Sequence, residues 1–169
     1  QPVQIESAGL SGVPVLWMHG RTEFELTADQ RRALAEYIKN GGFVIGTAIC
    51  GSEAFAKSFR RELGQVLPGS SLETMPSSHR AMTSAYGGFD ITSVTIRTPS
   101  GRGEGQVVNR RSGAPLIEFA TVDGMASVFF SPLDISCALE SQNSVQCPGY
   151  PTEDAAKIVA NLALFALNQ

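Results

Sequence analysis

The sequence predicts an α/β domain, a three-layer sandwich whose mostly parallel sheet carries one antiparallel hairpin, and three observations carry that reading. An apolar run at 14–18 is followed by a sharply punctuated helix and a second apolar run at 43–47. Strand, helix and strand with short connections form a βαβ unit, whose crossover makes the two strands parallel. The runs 116–122 and 125–130 are joined by Asp123-Gly124, the dipeptide that suits a two-residue hairpin turn. A last helix opens at Pro151-Thr152 and lays Ala155, Ile158, Val159, Leu162, Phe165 and Ala166 along one stripe, enough to cover a sheet face.

The elements follow in order. The first long helix begins with a capping box, Thr27 with Gln30, places Leu34, Tyr37 and Ile38 on one face, complements its negative end with Lys39, and stops at Gly41, which supplies a left-handed cap. The loop 48–52 leads into a second helix with Phe55, Phe59, Leu63, Val66 and Leu67 at helical spacing, ended by Pro68-Gly69. From 70 to 113 the periodicity weakens, and only 93–97 alternates as a strand does. That segment is expected to be a long excursion with one embedded strand.

With 169 residues, 43% of them hydrophobic, the chain has the size and the apolar content for one core, so 1–169 is expected to form one domain. Thirteen basic against sixteen acidic residues leave a formal charge of −3, which gives no field to gather a phosphate backbone or an anionic bilayer. Nucleic acid and direct membrane insertion are therefore not expected, and no run approaches the ~20 apolar residues of a transmembrane helix. Residues 1–12 show neither a basic leader nor an apolar signal core, so any targeting segment is expected to have been removed or to lie outside these residues. The cysteines, Cys50, Cys137 and Cys147, lack metal-ligand spacing, and neither a metal nor a cofactor is expected. Cys137 and Cys147 flank the polar loop 138–146, and the expected bridge is between them if the protein is exported; in a reducing compartment both stay thiols.

Ligands of open α/β sheets sit beyond the carboxyl ends of the strands. Three segments lead there: 19–21, 47–53 and 131–134. His19 is a candidate general base or ligand-binding group, or else a loop histidine bonded to a carbonyl. Arg21 is a candidate for gripping a carboxylate or phosphate, or the partner of Glu23 or Glu25. Cys50 is a candidate reactive thiol or a small buried hydrophobe. Gly51, Ser52 and Glu53 open a helix, where amides favour an anion, although Ser52 also suits the N-cap and Glu53 the helix dipole. His79 is a candidate if the excursion folds over the strand ends as a lid, and Asp134 either orients a histidine, binds a ligand or caps the turn 135–139. A metal on His19, His79 and Asp134 would need all three at one point, and no HxxxH or HxH pair suggests it. Arg60, Arg61 and Glu62 read as a solvated face or a loop-anchoring salt bridge.

The segment 14–59, above all Trp17, Met18, His19, Gly20 and Arg21, Leu26-Thr27, Tyr37-Ile38, Gly41-Gly42-Phe43, Cys50-Gly51-Ser52, Phe55 and Phe59 to Glu62, resembles the family catalogued as domain of unknown function 4159. Met75-Pro76 with His79, Ser131-Pro132 with Asp134, Ala138-Leu139-Glu140, Gly149-Tyr150, Asp154-Ala155 and Asn161 look like its later landmarks, so the similarity covers nearly the whole chain. The resemblance implies a fold similar to class I glutamine amidotransferases, flavodoxin-like, in bacterial proteins that are often multi-domain and envelope-associated; it favours the envelope or periplasm over the cytoplasm. Enzymes of that fold set a nucleophilic Cys on a sharp strand-to-helix turn with a His and a Glu downstream. Cys50 does lie between a strand and a helix, yet the GxCxG elbow is absent and no His follows residue 79. The expected function is a non-catalytic ligand-binding or protein-interaction domain of a larger bacterial protein, its partner an unknown protein or small molecule. The alternative is a hydrolase at the strand ends using His19, Cys50 or Ser52, His79 and Asp134, and a third reading is a structural protein that recognises partners through a Phe-rich surface.

Overall fold

A computed structural model describes residues 4–100, 107–140 and 147–169. The elements are α1 (Ser7–Leu10), β1 (Val15–Gly20), α2 (Ala28–Lys39), β2 (Phe43–Ala48), α3 (Glu53–Val66), β3 (Glu73–Thr74), β4 (Val94–Ser100), β5 (Val107–Gly113), β6 (Glu118–Val122), β7 (Met125–Ser131), α4 (Ser136–Leu139) and α5 (Thr152–Leu167). The main sheet runs β1-β2-β7-β6-β3, and β4 and β5 form a separate two-stranded ribbon.

The βαβ unit forms as its punctuation requires. Thr27 Oγ1 accepts from the Gln30 amide at 3.2 Å while the Gln30 side chain accepts from the Thr27 amide at 2.9 Å, and Gly41 adopts φ +88° beyond the last turn. β1 and β2 are parallel, with Val15 opposite Phe43 and Gly20 opposite Ala48. At the hairpin, Asp123 and Gly124 both take positive φ, 50° and 82°, as a type I′ turn demands, and β6 returns antiparallel to β7.

The expectation of a mostly parallel sheet is corrected. β1, β2 and β7 are parallel, but β6 and β3 extend the sheet antiparallel, so it is mixed. The hairpin dictates the reversal, because a two-residue turn can join only antiparallel neighbours. The strand expected at 93–97 exists as β4 but lies outside the main sheet. Its partner β5 carries Arg110 and Arg111 among mostly exposed positions, a composition suited to a solvent-facing ribbon and not to a buried strand.

Alternation sorts the strands onto two faces. Leu16, Val44, Val128 and Phe130 pack with α2 and α3, whereas Phe43, Ile45 and Phe129 pack with α5 and the excursion through Met75, Met82 and Ile91. Gly46 sits where a Cβ would lie 2.5 Å from the Phe59 ring, so its missing side chain lets α3 approach. Of the nine Phe only Phe89 is exposed, so most of these rings lie in the two cores.

The triplet at 60–62 anchors a loop. Glu62 is 2% exposed; it accepts from Arg31 Nε at 2.8 Å, Arg61 Nε at 3.0 Å and the Leu26 amide at 3.3 Å, and so ties α3 to α2 and to the chain entering α2. Burial pushes its carboxyl up, but the hydrogen bonds from Arg31, Arg61 and Leu26 outweigh this and hold it below the usual carboxylate value. A lowered native value stabilises the fold above the unfolded-state value, and that contribution is lost as pH falls through the native one. Glu62→Gln is therefore expected to cost about 2 kcal/mol near neutrality, with the gap to wild type closing as pH falls through the lowered native value, as read by urea denaturation across pH. A gap that does not change with pH would assign Glu62 a purely steric role.

Candidate functional site

Because β1, β2 and β7 run in one direction, their carboxyl ends deliver three loops to one rim, and side chains stitch those loops together. Ser52 Oγ donates to the Arg21 carbonyl at 2.7 Å, Thr47 Oγ1 to the Leu133 carbonyl at 3.4 Å, and His19 Nδ1 lies 3.0 Å from Ser136 Oγ. Asp134 is the hub. It is fully buried, with one carboxylate oxygen accepting from the Cys50 amide and the other from the Cys137 amide at 2.8 Å.

The main chain of Asp134 is committed as well. Its amide donates to the Pro148 carbonyl at 3.1 Å, and its carbonyl accepts from the Tyr150 amide at 3.3 Å. Between those contacts Gly149 passes so close that a Cβ would lie 2.8 Å from the Asp134 carbonyl oxygen. On its other side Gly149 exchanges both main-chain hydrogen bonds with Arg97, at 2.8 and 3.0 Å, while Arg97 Nε reaches the Cys147 carbonyl at 3.3 Å. Residues 147–150 thus form a strap clamped between the ribbon and Asp134.

The cysteine pairing expected from the sequence is corrected. Cys50 is bridged to Cys147, and Cys137 is free. Asp134 supplies the reason: it binds the Cys50 turn through its side chain and the strap through its main chain, so Cys50 and Cys147 meet, whereas Cys137 is fixed in the turn that Asp134 caps. Residues 141–146 of the intervening loop lie outside the described residues. Burial, then the Asp134 carboxylate and Glu140, push the Cys137 thiol up to about 11, against a smaller opposing effect of Arg21. Cys50 sits at φ 57°, a left-handed conformation uncommon for a residue with a side chain.

The other candidates divide. Ser52 caps α3, accepting from the Phe55 amide at 3.3 Å, and Glu53 is exposed beside Lys57 at 3.7 Å. Gly51 takes φ +63° against Pro148. Arg21 is exposed and, among the described residues, makes no ion pair; Glu25 pairs instead with Arg31 at 3.3 Å. His79 is not at the rim. Its ring packs against Phe119, Phe129 and Phe165, with centroids 5.0, 6.1 and 5.4 Å away, beside residues 124–126 where β7 begins. Burial lowers its pKa, and its Nδ1 accepts from the Ala81 amide at 3.2 Å. The part of the excursion that carries His79 therefore packs on the α5 face and not over the strand ends, and the His19, His79 and Asp134 trio is not assembled.

Ser136 and the strap were missed by the sequence reading. The only signal for Ser136 was its place two residues after Asp134, while Gly149-Tyr150 carries no local sign of what it packs against. Beside the rim, an open groove of about 680 Å³ follows the free edge of β1, lined by Trp17, Met18, His19, Phe24 and Phe55 among others.

Asp134→Asn keeps the shape but presents an NH₂ group to one of two amides, leaving that donor unsatisfied. The expected loss is about 2–3 kcal/mol in chemical denaturation, more than a surface Asp→Asn change gives. A loss under about 0.5 kcal/mol would remove Asp134 from its place as the hub.

No protein of curated function matches the chain. The family model described as a domain of unknown function, DUF4159, matches residues 1–167, and the chain belongs to that family.

Proposed function

We propose that this is a non-catalytic ligand-binding or protein-interaction module of a larger bacterial protein, built on a fold related to class I glutamine amidotransferases but without their Cys-His-Glu machinery. The observation that carries the reading is the commitment of the rim's reactive groups. Cys50 is bridged, both Asp134 oxygens hold amides, Ser52 caps a helix, and His79 lies at the other end of the sheet. What stays open is the groove along β1, with its aromatic lining and an uncommitted Arg21 beside it. Such a concave, mostly apolar site with a few polar groups at one end suits a ligand or peptide segment with an apolar body and an anionic end.

Trp17 is the sole tryptophan and lines the groove, so it reports on occupancy. Titration with anilinonaphthalene sulfonate, an apolar anion, is expected to give saturable energy transfer from Trp17, weakened about fivefold or more by Thr22→Glu at the groove's lip. Transfer that does not saturate, or that Thr22→Glu leaves unchanged, would sink the groove as the binding site.

One observation favours the hydrolase alternative: the 3.0 Å approach of His19 Nδ1 to Ser136 Oγ pairs a base with a hydroxyl. Ser136 is only 6% exposed, which suits a bonded structural hydroxyl better than an attacking one. Turnover of p-nitrophenyl esters that disappears in both His19→Ala and Ser136→Ala would transfer the assignment to that reading; no turnover above buffer is expected.

A further inference from the structure

We propose that Cys50, Cys137 and Cys147 form a thiol–disulfide exchange site in which Cys50 is the sulfur common to two alternative bridges, Cys50–Cys147 and Cys50–Cys137. The inference stands apart from the binding reading, since it rests on the cysteines alone.

The geometry comes from Asp134. Two amides bound to the two oxygens of one carboxylate have their nitrogens within about 7 Å of each other, and here those amides belong to Cys50 and Cys137. α4 packs directly on the turn Ile49–Gly51, so the two backbones stay close beyond that one point. A disulfide needs a Cα separation of roughly 4.4–6.8 Å, which this arrangement approaches without refolding. The Cys137 thiol also lies against the Asp134 carboxylate, whose other hydrogen bond holds the Cys50 amide. Exposure orders the three residues: Cys50 and Cys137 are half-buried, whereas Cys147, within the strap, is 5% exposed. The exchange therefore takes place between the two accessible residues.

The step balances without an outside oxidant or reductant. The Cys137 thiol gives its proton to solvent, and its thiolate attacks Cys50 Sγ. The Sγ137–Sγ50 bond forms as the Sγ50–Sγ147 bond breaks, and Cys147 leaves as a thiolate that takes a proton back from solvent. Loop entropy does not choose between the bridges, because both close long loops of similar length. The choice falls to packing: exchange removes the covalent tie on the strap and leaves it held by Arg97, the Asp134 main chain and the buried Tyr150, whose hydroxyl bonds the Leu116 backbone.

Disulfide mapping of the oxidised wild-type protein tests the proposal. After incubation at rising pH and an acid quench, free thiols are labelled with N-ethylmaleimide, and a glutamate-specific protease separates Cys137 from Cys147 at Glu140. The label is expected mainly on Cys137, with a minor fraction on Cys147 matched by a Cys50–Cys137 peptide. Asp134, Glu140 and Arg21 are the charged groups acting on the attacking thiol, and its high value makes the rate of appearance rise about tenfold per pH unit through the alkaline range. Cys137→Ser is expected to abolish the Cys147 label. In Cys147→Ser, Cys50 and Cys137 are expected to bridge within one molecule in a glutathione buffer. Absence of any Cys147 label in wild type after long alkaline incubation overturns the proposal, whatever the variants do.

Discussion

A buried carboxylate that makes no ion pair among the described residues holds the rim together. Asp134 is fully buried, and its two oxygens each accept a backbone amide, from Cys50 and from Cys137. Removing a carboxylate from water is expensive unless its lone pairs are filled, and charge-assisted bonds from fixed amides fill them with little entropy left to lose. Those two bonds reach the loop after β2 and the turn α4, while the main chain of the same residue secures the strap at Pro148 and Tyr150. Three segments far apart in sequence thus share one anchor, and the left-handed turn at Cys50 is held by that anchor and by the bridge to Cys147.

Glu62 solves the same problem differently. It too is buried, but Arg31 and Arg61 neutralise it, and these arginines remain partly exposed, so their charges keep most of their hydration. The difference follows from position. Glu62 faces from α3 toward α2, where long cationic side chains reach it from solvent, whereas Asp134 lies behind the strand ends, held by the amides of Cys50 and Cys137 with the Cys137 thiol beside them. The first arrangement responds to acid through a shifted carboxyl; the second responds to the loss of an acceptor.

What the sequence revealed about the fold was local, and what it concealed was long-range. The capping box at Thr27, the cap at Gly41, the Asp123-Gly124 turn and the stripe of α5 each need only a few neighbouring residues to be recognised, and each forms as expected. That β3, two residues long, adds a further antiparallel strand and that β4 leaves the sheet for the ribbon are not encoded by a short window. His79 shows the same limit: a histidine in an irregular segment gives no hint of which end of the sheet its three Phe neighbours occupy. The disulfide was misassigned because nearness in sequence favoured Cys137, while Cys50 reaches Cys147 across 97 residues through contacts that Asp134 arranges.

The rim was located correctly from strand direction alone, yet strand direction says nothing about whether the residues delivered there remain free to react. Parallel strands bring polar loops together, and once together those loops have backbone amides and carbonyls of their own to satisfy. Here Asp134 and Ser52 are drawn into that task and Cys50 into a bridge, because short loops at a buried strand end contain few other groups able to hold them together. Arg21, exposed and without an ion pair among the described residues, is the contrast: it follows the edge strand β1, and only its carbonyl, bonded by Ser52, is drawn into the rim. Availability for function thus tracks distance from the buried centre of the sheet, and the free groove lies along β1 for that reason and not over β2 and β7.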